Sequence, residues 1–423
     1  MKEKLQGFFK KLDPIFDKIG KNAYLKSISG AMMATLGPIL IGSIFTVIPA
    51  LAAETSSLSF LANYADFFAK MSAFTLDSMS LYIVILMPYH LVRNLDPKED
   101  GISASIIALV SFLVLTPIGS IDAETSGLPL SWLGPEGVFT AMLVGLLSAR
   151  LYLAIKHKGW KIKMPDGVPP MVTNTMESLI PTFLVVGLFI VVSALFSATS
   201  FGNLHNFIYS VVQVPLKGIG GSIGAFFLIS IIQQIFWFFG IHGTSVINAV
   251  VQPLWMAMDV ENLQAIQQGQ TPPNIGGFAF FSIVTWTGTA LGLVLLMLRA
   301  KSQQYRQMGK ISIVPALFGV TEPVIYGTPL VLTFDLAFPF IMNNSIVMVI
   351  AYLLTRLGIV ARFSGVQPIF GLPLGLNAAV QGSLSIILLQ IVIQVIISPI
   401  LWYPWFKRLD RKTYKREQEA ETT

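Results

Sequence analysis

Apolar residues in this chain come in long uninterrupted runs, not in the alternation of a half-buried strand or the one-sided periodicity of a soluble helix. Charge-free runs cover Ser27–Ala53, Ser178–Leu216, Gly218–Met258, Asn262–Leu298 and Phe363–Phe406. About 20 apolar residues cross a bilayer as a helix, so several runs are long enough for two passes. With the shorter runs between them they predict ten spans: Ser27–Leu51, Thr75–Val92, Ile102–Ile118, Val138–Ile155, Leu179–Ala198, Ser222–Ile241, Thr244–Met258, Gly277–Leu298, Leu330–Leu354 and Ser383–Tyr403. The seventh is short for a full crossing and suits a half-helix. Before the first run, Leu5, Phe8, Phe9, Leu12, Phe16 and Ile19 recur at helical spacing among lysines, which predicts an amphipathic helix on a membrane surface. Leu204, Phe207, Ile208, Val211 and Val212 predict a second interfacial helix.

The expected fold is therefore an all-α polytopic membrane protein of about ten transmembrane helices, with amphipathic interfacial helices and two re-entrant hairpins. The chain divides into an amphipathic segment (1–26), a first helical domain (27–200), an interfacial linker (201–221), a transport domain (222–406) and a tail (407–423). The hairpins are expected near 311–329 and 361–377, inside the transport domain.

Composition agrees. With 54% hydrophobic and 12% charged residues, the chain is too apolar for a soluble domain of its length. No short cleavable signal precedes the first run, which is too long and begins after a charged stretch. The net charge of +6 calls for no nucleic acid, because Lys and Arg gather at the ends of apolar runs. Lys2 to Lys26, Arg93, Lys98, the cluster from Arg150 to Lys163, Arg299 to Lys310 and Lys407 to Arg416 place both termini in the cytoplasm. Acidic Asp122, Glu124, Asp259 and Glu261 fall on the outer side, and Arg356 and Arg362 run against the pattern. Cysteine is absent, which excludes disulfides, thiolate metal sites and a cysteine nucleophile carried by this chain. No phosphate-cradling loop, zinc-ligand cluster or Ser-His-Asp set appears, so neither metal nor cofactor is expected.

Two stretches stand out inside the apolar second half. Phe318-Gly-Val-Thr321-Glu322-Pro323-Val-Ile-Tyr326-Gly327-Thr328-Pro329-Leu330 carries one of only two acidic residues between Asn262 and Leu409. An ionisable side chain at membrane depth costs about 2.5–3.5 kcal/mol on insertion scales and usually faces a cavity. A solvated loop outside the membrane is the plainer alternative. The stretch Gly365-Val-Gln367-Pro368-Ile-Phe370-Gly371-Leu-Pro373-Leu374 repeats the grammar: Gly-Val, Glu or Gln before Pro, an aromatic, then Gly, one residue, Pro and Leu. Paired interrupted segments of this kind point to a transporter site near the midplane. Thr321, Glu322 and Gln367 are thus candidate site residues at two facing tips.

Of four histidines only His242 sits deep, in Gly240-Ile-His242-Gly243-Thr-Ser-Val-Ile-Asn248. A neutral imidazole both donates and accepts, as sugar hydroxyls require. Asn248, Trp255 and Trp286 extend the candidate set, since indole faces cover sugar C–H faces while amides bond hydroxyls. Each tryptophan equally suits an interfacial anchor.

Three stretches together resemble the enzyme IIC sugar transporters of the bacterial phosphoenolpyruvate-dependent phosphotransferase system, in the lactose/cellobiose/diacetylchitobiose family. They are Lys163-Met-Pro165-Asp-Gly-Val-Pro169-Pro170-Met-Val-Thr-Asn174-Thr-Met-Glu177-Ser-Leu-Ile-Pro181, the His242 motif, and Gly319-Val-Thr-Glu322-Pro323-Val-Ile-Tyr-Gly327, with Thr321 where the family usually has Asn. The resemblance covers nearly the whole chain. It implies a multi-pass protein of the bacterial cell membrane, a homodimer joined through the first five spans. A β-glucoside-type disaccharide or related sugar would sit between the hairpins, with His242 and Glu322 as the catalytic pair and Asn174 among the sugar ligands. Partners implied are a separate phosphorylated IIB, whose phosphocysteine this chain lacks, and indirectly IIA, HPr and enzyme I. The second stretch, Phe363-Ser364-Gly365-Val366-Gln367-Pro368, lacks the tryptophan the family usually carries there. A proton- or ion-coupled secondary transporter of a polar solute is the other reading that a midplane carboxylate supports.

Overall fold

The structure, a computed structural model, describes residues 22–54, 60, 63–120, 126–165, 167–240, 242–328, 330–331, 333–369 and 371–421. The predicted amphipathic helix at the N-terminus falls almost wholly outside them. Among the described residues the chain is helical, apart from one antiparallel pair of two-residue strands, Gly119–Ser120 with Ser126–Gly127. A helix overlaps every predicted span. Four helical stretches are long and apolar enough to cross a membrane: Pro135–His157, Met171–Ser197, Phe334–Arg356 and Leu384–Ala420.

The chain forms two compact units. The first comprises residues 1–45, 64–217 and 248–257, the second 46–63, 218–247 and 258–423. After α1 (Ala23–Glu54), the first unit is built on α2 (Met79–Leu95), α3 (Gly101–Leu115), α4 (Val138–His157) and α5 (Pro170–Ser197). Asp100 starts α3 by accepting the N–H groups of Ile102 and Ser103, two donors the first helical turn cannot satisfy itself. Small residues let the helices close up: a Cβ at Gly145 of α4 would lie 3.0 Å from Cβ of Met87. Ile83, Val84, Met87, Ala104, Ile107, Ala108, Phe112 and Val144 fill the space between them. The predicted linker is helical from Leu204 to Gly220, with a π-helical stretch at Ile208–Gln213.

The second unit opens with α6 (Ile223–Phe238) and α7 (Gly243–Gln267). The eighth predicted span is broken: α8 (Phe278–Val284) stops, a 3-10 turn covers Trp286–Thr289, and α9 (Ala290–Met297) resumes. Then come α10 (Gln303–Leu317), the short α11 (Glu322–Gly327), α12 (Ala337–Arg356), α13 (Leu384–Val392) and α14 (Ser398–Glu421). One apolar cluster ties them: Trp237 and Phe238 of α6, Leu291, Val294 and Met297 of α9, Val324 and Ile325 of α11, Leu330, Phe340 of α12, and Trp402 and Phe406 of α14.

One expectation changes. Asp259, read as an outer-loop charge after the seventh span, lies inside α7 and is 1% exposed. The reason is visible afterwards: Val260, Leu263 and Ile266 continue the apolar spacing, so the helix does not stop at Met258. Within the second predicted hairpin, residues 361–369 adopt neither helix nor strand, and a short helix follows at Leu376–Ala379.

Candidate functional site

The break between α8 and α9 is where the site begins. Ending one helix and starting another strands carbonyls that must be satisfied inside an apolar region. One face of the last helical stretch supplies the donors at i, i+4 and i+8. Gln390 Nε2 donates to the Ile283 carbonyl at 3.3 Å, Gln394 Nε2 to that of Trp286 at 2.9 Å, and Ser398 Oγ to that of Thr289 at 2.6 Å. Trp402 Nε1 adds a second bond to the Thr289 carbonyl at 3.1 Å. Thr289 itself is held at φ 54°, a strained value for a β-branched residue, and its hydroxyl donates to Asn344 at 2.8 Å.

This scaffold presses the Trp286 indole onto the turn after α10. Gly319 has φ +89°, and a Cβ there would sit 2.7 Å from the indole ring, so only glycine fits. Two residues on, Thr321 takes the N-cap position of α11 with no side-chain cap bond, and Glu322 is its first residue. The Glu322 side chain lies outside what the structure describes. Trp286 is 7% exposed and its Nε1–H has no partner among the described residues.

The turn ahead of His242 lies against the chain just past α11. A Cβ at Gly240, which has φ +80°, would lie 3.4 Å from Val331, just past α11. Gly243 lets α7 start against α6, since a Cβ would meet the Gln233 carbonyl oxygen at 2.1 Å. His242 is the N-cap of α7: its Nδ1 accepts the Ser245 N–H at 3.2 Å and lies 2.8 Å from the Ser245 hydroxyl. A backbone N–H can only donate, so the imidazole proton is on Nε2. The ring lies 4.3 Å, centroid to centroid, from that of Trp237 and is exposed.

The second broken stretch is tied in by a backbone bond from Leu374 N–H to the Leu317 carbonyl at the end of α10, 3.0 Å. Its own chain is wrapped by buried amides and one carboxylate. Asn262 donates to the Phe363 carbonyl at 3.0 Å. Gln381 accepts from Ser364 Oγ at 3.0 Å and donates to the Val366 carbonyl at 2.5 Å. Gln367, 2% exposed, donates to Asp259 Oδ2 at 2.9 Å and to the Gly365 carbonyl at 3.0 Å. The same carboxylate oxygen accepts the Ala279 N–H at 2.8 Å, pinning the start of α8. Gly365, at φ +92°, would place a Cβ 2.1 Å from the Asp259 carbonyl oxygen.

Within the second unit the structure sets Trp286 against the Gly319 turn that leads to Thr321 and α11, and ties the second broken stretch to α10 through Leu374, while His242 lies in the same unit at the start of α7. Asn174, Asn248 and Trp255 fall in the first: Asn174 and Asn248 are half-buried on α5 and α7, and Trp255 is fully buried. Reasoning from sequence passed over Asp259, Gln381 and the Gln390–Gln394–Ser398 face, although polar residues every fourth position in an apolar helix are a readable signal. It also took the basic residues after α4 as orienting charges alone. Lys156 is buried and bonds Glu99 at 2.5 Å and Glu177 at 3.2 Å, while Lys161 pairs with Glu177 at 2.8 Å. In the adjoining loop, the Lys98 backbone N–H first, then His157, hold the Asp96 carboxyl below the usual range.

Residues 29–344 match the family described as "Phosphotransferase system, EIIC". The chain is 32% identical over 430 residues to the oligo-beta-mannoside-specific EIIC component of a phosphotransferase system from Bacillus subtilis (strain 168), covering 99% of this chain and 96% of that protein. It is 30% identical over 430 residues to the cellobiose-specific EIIC component of Geobacillus stearothermophilus, covering 97% and 95%. The crystal structure of the transporter ChbC, the IIC component of an N,N'-diacetylchitobiose-specific phosphotransferase system, superposes with a TM-score of 0.89 at 30% identity, over 97% of this chain and 99% of that one. A break that seats an indole on a helix-capping turn, inside a chain matched over most of its length, leaves one assignment: the chain belongs to the phosphotransferase-system EIIC family of membrane sugar permeases.

Proposed function

We propose that this permease takes a β-linked glucoside-type disaccharide or short oligosaccharide inward and presents its 6-hydroxyl for phosphorylation by a separate phospho-IIB. The observation that carries the reading is the seating of Trp286 on the turn that leads into Thr321 and Glu322, with His242 in the same unit, in a chain whose relatives are named for β-mannosides, lichenan and cellobiose. His242 Nε2–H and Trp286 Nε1–H serve as donors to sugar oxygens, Thr321 lies at the first tip, and Gln367 braces the second from within through Asp259. Glu322 takes the hydroxyl proton as that oxygen attacks phosphorus; the P–S bond of the IIB phosphocysteine breaks and its thiolate leaves. General base catalysis of this kind contributes about 10²–10⁴-fold. A chain without cysteine fits a receiving role, with the phosphoryl carried elsewhere. A homodimer of ten-span protomers with both termini cytoplasmic completes the reading.

Purified protein in proteoliposomes, supplied with phospho-IIB and labelled cellobiose, tests it. Sugar phosphate is expected inside only when phospho-IIB is present, and Glu322→Gln or His242→Ala should cut its formation at least a hundredfold with normal membrane insertion. Accumulation of unmodified sugar driven by a proton gradient, without IIB, would overturn the proposal in favour of a secondary transporter. Wild-type rates in both variants would remove these residues from the site.

A further inference from the structure

The charged end of α14 is not a loose appendage. Two of its carboxylates reach the start of α10, more than 100 residues away in sequence. Asp410, 7% exposed, accepts the backbone N–H of Lys301 on Oδ2 at 2.9 Å and that of Ser302 on Oδ1 at 3.0 Å. Glu417 does the same one step on, accepting from Gln303 at 2.9 Å and Gln304 at 3.0 Å. Seven residues separate the two acids, which puts them about 10 Å apart on one face of α14. Ser302 Oγ takes the next donor, the Tyr305 N–H, at 3.3 Å. Five consecutive backbone N–H groups at this helix start are therefore held by side chains, four of them by α14. The Tyr305 and Phe406 rings pack at 5.5 Å beside these bonds, and Arg306 closes the turn with two bonds to the Ala300 carbonyl.

Negative groups at a helix N-terminus are favourable for any helix, so capping alone says nothing about function. What matters is where α10 leads. It is 15 residues long and runs without a turn from these four bonds to Leu317, which accepts the backbone bond from Leu374 of the second broken stretch. Next comes the Gly319 turn under Trp286, then Thr321 and Glu322. The segment is continuously helical over this length, with Pro315 in its last turn, so holding one end constrains the height of the other. The cluster of Trp237, Leu291, Val324 and Trp402 lets α14 hold the break that carries Trp286 as well.

We propose that Asp410 and Glu417 are positioning residues: by gripping residues 301–304 they set where α10 ends and so where the Thr321–Glu322 turn meets the sugar. The effect on catalysis rests on the phosphorylation-coupled reading above; the effect on the turn does not.

The test uses the full-length protein with Asp410→Asn and Glu417→Gln together, changes that keep size and remove the charge. Cellobiose phosphorylation by phospho-IIB is measured per folded transporter, and hydrogen–deuterium exchange is followed at residues 301–305 and 318–325. Expected are a tenfold or greater fall in kcat with KM within threefold, and faster exchange in both segments. Asp410→Glu, which keeps the charge, should retain at least half the wild-type rate. Lys412→Ala is the control: its ion pair with Asp335 is solvent-exposed at 3.6 Å on the same helix, and its removal should leave rate and exchange unchanged. Exchange that rises at 301–305 alone, or an unchanged kcat in protein that folds, would overturn the proposal, because the carboxylates would then be a local cap. Should the wild type fail to phosphorylate cellobiose at all, the functional reading falls and the exchange at 318–325 decides this one.

Discussion

From Gln303 to Gly327 the first broken stretch stays helical on both sides of a short turn, while the second, from Ala361 to Ile369, runs without regular structure. Their sequences share Gly-Val, a Glu or Gln before Pro, and then Gly, one residue and Pro. The difference lies in who satisfies the backbone. In the first stretch, helical bonds do most of it: Pro323 sits in the first turn of α11, where its missing N–H costs nothing. In the second, side chains do it: Asn262 and Gln381 from elsewhere, and Gln367 from the stretch itself with Asp259 behind it. Glycine and proline punctuation thus marks where helix stops. Whether a new turn of helix or an extended chain follows is set by the buried amides within reach.

That contrast can be broken most directly at Asp259. Its replacement by Ala takes the acceptor from one of the two Gln367 amide N–H bonds, the other remaining on the Gly365 carbonyl, and from the buried Ala279 N–H, at about 1–3 kcal/mol each, so a loss of about 3 kcal/mol or more is expected. Thr321→Ala, at the matching place in the first stretch, removes no side-chain cap bond and should change stability little. Equal melting temperatures for the two variants in detergent would refute the account. The glycines come next. Gly365→Ala drives a methyl into the Asp259 backbone carbonyl, which has no room to move, whereas Gly319→Ala meets the edge of an indole that can shift. Both force a positive φ on alanine at roughly 1–2 kcal/mol, and overpacking adds about 1–3 kcal/mol, the larger share at Gly365. Chemical denaturation should rank Gly365→Ala below Gly319→Ala; the reverse order would mean the second stretch is the more adaptable one. Smallest is replacement of Trp286 by 3-benzothienylalanine, which keeps the bicyclic ring against Gly319 and removes only the unpartnered Nε1–H. Sugar affinity should fall about tenfold, near the 1.4 kcal/mol upper range of a single neutral hydrogen bond, with little change in melting temperature. Unaltered affinity by calorimetry would take the indole N–H out of the site.

Much of the site could be read before any fold was known. The isolated position of Glu322 in an apolar region, the glycines flanking His242 and the repeated order of Gly-Val, then Glu or Gln before Pro, all depend on residues close together in the chain. Trp286 was a candidate from composition, but its seat on Gly319 was not legible, because 33 positions separate the two. Gln367 was expected to face the sugar; it is buried against Asp259, a residue taken for an outer-loop charge. Trp255 was read as a sugar platform or an anchor and is fully buried in the first unit.

By itself the sequence determined the class of molecule: apolar runs of spanning length, basic flanks, no cysteine, and two places where helix must stop. Those are local properties, since helical propensity, hydropathy and proline geometry act within a few residues. Tertiary structure alone decided which polar groups answer each other. Asp259 finds Gln367 across 108 positions, Gln394 finds the Trp286 carbonyl across 108, and Asp410 finds Lys301 across 109. In an interior with little water, each stranded donor or acceptor takes whichever partner the packed helices bring within 3 Å, and that choice has no local signature.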